Sequence, residues 1–223
     1  MIMVLFLYTS YRILYANNYG YPLIIILVGR TARWWTAHVL QLAMLLLLCG
    51  PSGVGKSTIV EQLALPDDEV LHQDSFFAAP FLSYTDALRL GATHAESPSH
   101  IDFESLRKAV SQACERCDGH VIVEGHMLLH DAQLVQMAHQ VVLLDASSEA
   151  CAARRIGRRS RTADENAELE LYYQTFVAPA NAQYNLPVVA ALKHQRPGLL
   201  QIVDATQPLN AVLDNCRKCL CPQ

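Results

Sequence analysis

The segment Gly50-Pro51-Ser52-Gly53-Val54-Gly55-Lys56-Ser57 constrains this chain more than any other. Its glycines let consecutive backbone N–H groups turn inward around an anion, and a helix that follows would aim its positive end at the same place. The flanks suit that geometry. Met44–Cys49 reads as a buried strand leading in, and Thr58–Leu63 carries helix formers without a breaker leading out. Strand, loop and helix together predict a nucleoside triphosphate seat, with ATP and Mg²⁺ as the expected cofactors. Gly50, Pro51, Ser52, Gly53, Val54, Gly55, Lys56, Ser57 and Thr58 would surround the phosphates. Lys56 would reach the β/γ oxygens, and the Ser57 hydroxyl would take a place on the metal. A glycine-rich turn that binds nothing is the bland alternative.

The 223 residues suit one domain able to bury its own core. A net charge of −4 and an isoelectric point near 6.1 give no broad basic surface, so no nucleic acid partner is expected. Seven cysteines include two C-x-x-C pairs, Cys114/Cys117 and Cys216/Cys219, with Cys221 just beyond. Each pair falls in a helix-like stretch without the knuckle turns of a zinc ribbon. Reduced thiols and a cytoplasmic location are therefore favoured over a shared metal site.

Residues 1–43 differ from the rest. No acidic residue precedes Glu61, and Arg12, Arg30 and Arg33 are the only firm cations ahead of Lys56. The apolar runs Met1–Tyr8 and Leu23–Val28 are too short to span a bilayer. Trp34–Gly55 lacks charged side chains, but its second half must hold phosphate and cannot sit in lipid. Three readings remain: a targeting peptide, a membrane-associated anchor, or sequence upstream of a start at Met44. The last is preferred, which makes 1–43 a hydrophobic extension and 44–223 the domain that carries the phosphate loop.

After the loop, strand and helix patterns alternate, which predicts an α/β fold with a parallel sheet covered on both faces. The expected strands are Met44–Cys49, Glu69–His72, His120–Glu124, Gln140–Asp145 and Leu199–Asp204. Helices are expected over Ile101–Cys117, with Ser99 or Asp102 as its cap, and over Ser147–Arg159 and Pro208–Leu220. A further helix between Thr162 and Tyr184 should bend or end at Pro179. Ligands of such sheets gather at the carboxyl ends of the strands. Asp74 and Glu124 stand there. Asp74 alone could be a solvated loop carboxylate. Glu124 closes the apolar strand Val121-Ile122-Val123 and is placed to face Mg²⁺ or its waters, or else is held by backbone N–H groups. Arg154, Arg155, Arg158, Arg159 and Arg161 cluster after the fourth strand, either as a phosphate-gripping lid or as a solvated basic helix. Asp164, Glu165 and Glu168 follow and could hold that lid open.

These pieces together resemble the nicotinamide riboside kinases and uridine kinases. Gln73-Asp74-Ser75-Phe76-Phe77 resembles their Q-D-[DS]-F-[FY] segment, and Val121–Gly125 their strand ending in Glu-Gly. Cys151–Arg158 resembles their arginine-bearing lid. Val177-Ala178-Pro179 is similar to the V-W-P of the riboside kinases, with Ala in place of Trp. Val203-Asp204-Ala205-Thr206 resembles their late L-D-G-T. The resemblance spans residues 44 to 214 and implies a P-loop kinase-like sandwich with five parallel strands and a small mobile lid. It implies γ-phosphoryl transfer from ATP to the 5′-hydroxyl of a riboside, nicotinamide riboside first and uridine or cytidine second. It implies that Asp74 is the general base, that Lys56, Arg155 and Arg158 serve the transfer, and that Arg154 binds the nucleotide. Phe77, Glu96, Glu124 and Asp74 would contact the acceptor, Glu96 through the ribose hydroxyls. Ser57, Glu124 and Asp74 would serve the metal. A regulatory GTPase is disfavoured because no N-K-x-D segment occurs. A mechanical ATPase would need no acceptor base at Asp74. A nucleotide-binding module without an acceptor site is the non-enzyme alternative.

Overall fold

The computed structural model describes residues 43–80, 82–91 and 96–220. The readings of the segment before residue 43, and of Cys221, lie outside these. Five strands form: β1 (Met44–Cys49), β2 (Glu69–His72), β3 (His120–Gly125), β4 (Gln140–Asp145) and β5 (Leu200–Asp204). All pair in parallel, in the order β2-β3-β1-β4-β5. The P-loop strand is thus central. Nine helices accompany them among the described residues: α1 (Lys56–Leu63), α2 (Tyr84–Leu90), α3 (Phe103–Arg116), α4 (Ala132–Met137), α5 (Ser148–Gly157), α6 (Ala163–Tyr172), α7 (Ala178–Ala180), α8 (Leu186–Gln195) and α9 (Leu209–Leu220).

Alternation along each strand sends side chains to two separate cores. Leu46, Leu48, Ile122, Val142 and Leu144 face one way and meet Ile59, Val60 and Leu63 of α1 with Val212, Leu213 and Cys216 of α9. Leu45, Leu47, Val121, Val123 and Val141 face the other way and meet Leu106, Val110 and Ala113 of α3 with Leu134 of α4. Both faces are covered, so the strands read as continuous apolar runs rather than alternating ones. The two C-x-x-C pairs pack on opposite faces of the sheet, Cys114 and Cys117 on one and Cys216 and Cys219 on the other.

Three expected boundaries move for local reasons. α3 starts after Asp102, whose carboxylate accepts the N–H of Ser105; Ser99 belongs to a separate short turn. α5 is capped by Ser147, which accepts the N–H of Ala150, and it ends at Gly157, so Arg158 and Arg159 lie past its regular turns. Pro179 does not end the helix after Thr162. Helical dihedrals continue from Val177 through Asn181 to Leu186. Wide π-type turns at Tyr173–Val177 and Asn181–Asn185 precede the two prolines, Pro179 and Pro187, and shift the carbonyls that a regular turn would drive into each ring. α2, α4 and α8 were not expected. α2 and α4 are short, and their signals are single caps, Ser83 accepting from Asp86 N and Asp131 from Leu134 N.

One buried polar side chain fixes the end of β3. Gln73 is fully buried, and its Oε1 accepts the N–H of Met127 at 2.8 Å. A Cβ on Gly125 would lie 2.6 Å from the Gln73 Cβ and would collide with its amide. Gly125→Ala is therefore expected to destabilise the fold by about 1–3 kcal/mol, read as a lower urea midpoint without a change in slope.

Candidate functional site

The phosphate loop is shaped by glycine and by what leans on it. Gly53 and Gly55 have φ of 90° and 109°, a region that side chains strain to enter. A Cβ on Gly53 would also strike the carbonyl oxygen of Cys151 in α5. Lys56 folds back over the loop, its Nζ donating to the carbonyls of Gly50 at 3.0 Å and Pro51 at 3.1 Å. Burial pulls the pKa of Lys56 down, and the negative charges of Glu124 and Asp74 oppose that pull. Next to it, Ser57 Oγ donates to Glu124 Oε1 at 2.9 Å, and His72 Nδ1 lies 2.7 Å from the same oxygen. A hydroxyl and a carboxylate meeting at the loop are hard oxygen donors of the kind Mg²⁺ takes, so Ser57 and Glu124 fit that ion.

A cavity of about 540 Å³ opens in front of the loop. Ser52, Gly53, Gly55, Lys56 and Ser57 form its floor. Arg155, Arg158, Arg159 and Arg161 line it together with Asp74, Glu96, Glu124, His126 and Phe77, and the Arg155 charge acts on Glu96. Arg155 is docked already: Nη1 donates to Ser52 Oγ, Nη2 reaches Tyr84 OH at 3.5 Å, and the guanidinium lies over the Tyr84 and Tyr172 rings. A second cavity of about 240 Å³ lies behind Thr58, walled by Val54, Arg154, Gln207, Leu209 and Val212. There Arg154 donates to the carbonyls of Val54 at 2.9 Å and Ala205 at 2.8 Å. Its guanidinium plane is thereby fixed against a largely apolar slot beside the loop, suited to a nucleobase. Gly50 and Pro51 sit at the back of the loop and serve through their carbonyls.

Every residue expected at the site therefore lies at one of these cavities or on the loop itself. Of the acids after the lid, Glu165 feels the charge of the lid residue Arg161, and two of them also have partners of their own. Glu165 is spent on a reciprocal cap with Thr162, and Glu168 accepts from Thr85 Oγ1 at 2.9 Å. Among the described residues no ion pair joins them to the lid arginines. Sequence reasoning missed His72, Tyr84, His126 and Tyr172. Only His126 carried a usable signal, standing two residues beyond Glu124 at the same strand end.

Glu96 is 7% exposed, close to His126 and Tyr172. Its Oε1 accepts from Tyr172 OH at 3.5 Å, and its Oε2 lies 3.8 Å from His126 Nε2. Burial raises its pKa above the ordinary 4.5; Arg155 opposes the shift, and Asp74 adds to it. A carboxyl whose folded pKa is raised costs stability once ionised, so the loss sets in as pH climbs above the unfolded value. Glu96→Gln is expected to match the wild type below pH 4.5 and to become the more stable protein as pH rises toward neutrality, measured by denaturant melts across that range.

No curated protein matches the chain in sequence. Two solved structures resemble it: a gluconokinase from Sinorhizobium meliloti 1021, at 18% identity and a TM-score of 0.48, covering 80% of this chain and 92% of that one; and a protein assigned as a fructose transport system kinase from Silicibacter sp. TM1040, at 21% identity and a TM-score of 0.48, covering 67% and 86%. The family described as an AAA domain matches residues 45–179, more than half of the chain. With its α/β sandwich, central P-loop strand and parallel order β2-β3-β1-β4-β5, the chain has the kinase-like P-loop NTPase fold and belongs to the AAA domain family.

Proposed function

We propose that this protein is an ATP-dependent small-molecule kinase that transfers the γ-phosphoryl group to an alcohol. The single observation that supports it best is the shared cavity: the Lys56 loop and Asp74 border one volume, lined by carboxylates and arginines together. An ATPase without an acceptor would need no acceptor base at Asp74. The finer reading is transfer to the 5′-hydroxyl of a riboside. Gln73–Phe77 and the lid at Cys151–Arg158 support it through their resemblance to riboside kinases, nicotinamide riboside being the first choice. Ser75 favours uridine or cytidine as the alternative.

Phosphoryl transfer passes through a loose transition state, so catalysis is mainly alignment and charge neutralisation. The triphosphate would lie on the loop N–H groups and Lys56, with its base in the slot beside Arg154 and Thr58. Mg²⁺, where bound by Ser57 and Glu124, would neutralise β/γ-phosphate oxygens. Arg155 and Arg158 would contact the same charge from the lid; one well-placed arginine in such chemistry contributes about 10³–10⁵ in rate. Asp74 would orient the acceptor hydroxyl and take its proton late in the transfer, while Glu96 would hold hydroxyls farther along the sugar and Phe77 would pack on it. No helix among the described residues is long and apolar enough to cross a membrane, and the reaction needs none.

The assay is ADP release from Mg-ATP with ribosides and other polyols added one at a time. Acceptor-dependent release is the expected result; acceptor-independent release would make the protein an ATPase. Asp74→Ala is expected to keep ATP affinity and lose about 10²–10⁴ in kcat, the usual size of a general-base contribution. Lys56→Ala should weaken ATP binding as well as turnover, measured by titration with a fluorescent ATP analogue.

A further inference from the structure

β2 and β3 lie side by side in parallel, and their register sets His72 opposite Glu124. Register partners in a sheet present their side chains on the same face, so the imidazole and the carboxylate become neighbours. Ser57, at the start of α1, meets the same carboxylate. Its Oγ donates to Glu124 Oε1 at 2.9 Å, and His72 Nδ1 lies 2.7 Å from that oxygen. A carboxylate only accepts, so Nδ1 carries a proton and donates it. Both donors converge on Oε1; among the described residues none bonds Oε2. Glu124 lines the large cavity, whereas His72 is not among the residues that line it. The carboxylate is thus gripped through one oxygen by a ring that does not border the cavity. The lone pairs of its other oxygen, and those of Ser57 Oγ, stay available to a cation.

We infer that His72 is a positioning residue for the Mg²⁺ site: its Nδ1–H fixes the rotation of the Glu124 carboxylate, so that Glu124 and Ser57 present their oxygens together. The inference rests on the nucleotide-and-magnesium part of the proposed function and not on the acceptor. Magnesium demands near-ideal octahedral geometry, so a carboxylate free to swing costs affinity. Groups that hydrogen-bond a ligating side chain typically contribute about 10- to 100-fold in metal affinity. An imidazole suits the task because it can donate one N–H without the fixed positive charge of arginine, which would compete with the metal for the same carboxylate. The His72 side chain is 49% exposed, against 9% for Glu124, so replacing it opens no cavity in the core.

The test titrates the full chain, saturated with ADP, with Mn²⁺ in place of Mg²⁺, free Mn²⁺ being read by electron paramagnetic resonance. His72→Leu, which keeps bulk and removes the donor, should bind Mn²⁺ about 10- to 100-fold more weakly than the wild type. His72→Asn, whose amide N–H can take the place of Nδ1–H, should recover most of that loss. In a Glu124→Gln background His72→Leu should add little, because its effect passes through Glu124. ADP affinity in EDTA should be the same for His72→Leu and the wild type. Unchanged Mn²⁺ affinity in His72→Leu, no recovery with Asn, or an equal loss with Glu124 already replaced would overturn the assignment. A matching fall of ADP affinity in EDTA would make His72 a structural residue and overturn it too. The titration contains no acceptor, so the two readings separate. The expected Mn²⁺ losses together with acceptor-independent ADP release would support the positioning role while sinking the kinase reading.

Discussion

Gly53 lies against the carbonyl oxygen of Cys151, and that close approach ties the phosphate loop to the arginine helix. The two segments are a hundred residues apart in sequence, yet they behave as one surface. Arg154 bonds the Val54 carbonyl and the Ala205 carbonyl, joining the loop to the end of β5. Arg155 bonds Ser52, and Tyr173 OH reaches the Ser52 carbonyl at 3.4 Å. A loop that must present its backbone to an anion gains little from its own side chains, so its shape depends on neighbours of this kind. Any residue larger than glycine at position 53 would part the loop from α5.

The large cavity is lined by charges of both signs. Arginines come from the end of α5 and the turn after it; carboxylates come from the ends of β2 and β3 and from Glu96. Lys56 is in electrical contact with both Glu124 and Asp74, which is what keeps an ammonium tolerable where burial works against it. A triphosphate placed among the arginines and a neutral or cationic alcohol placed among the carboxylates would each meet complementary charge. A triphosphate placed among the carboxylates would meet repulsion instead.

Much of this was legible in the sequence, and the reasons are physical. β1 and β4 were readable to the residue because a strand covered on both faces is a continuous apolar run, and the edge strand β2 because Val70-Leu71 stands between the polar Glu69 and His72. The phosphate loop was legible because its chemistry demands glycine at fixed places. Asp74 and Glu124 could be found because a parallel sheet delivers its strand ends to one edge. What could not be read depended on contacts distant in sequence. Nothing local shows that Gln73 turns inward to meet His126, that Arg155 lies over the paired rings of Tyr84 and Tyr172, or that Glu165 caps its own helix. Pro179 does not end its helix because a π-type turn relieves the clash on which that local rule rests.

The most direct measurement of the central claim is phosphorus NMR of the reaction mixture containing Mg-ATP and the acceptor. If the cavity joins the terminal phosphate to an alcohol, the γ-phosphorus must reappear as a phosphomonoester signal split by the acceptor's methylene protons. Conversion of the γ-phosphorus to inorganic phosphate alone, with the acceptor untouched, would contradict the account.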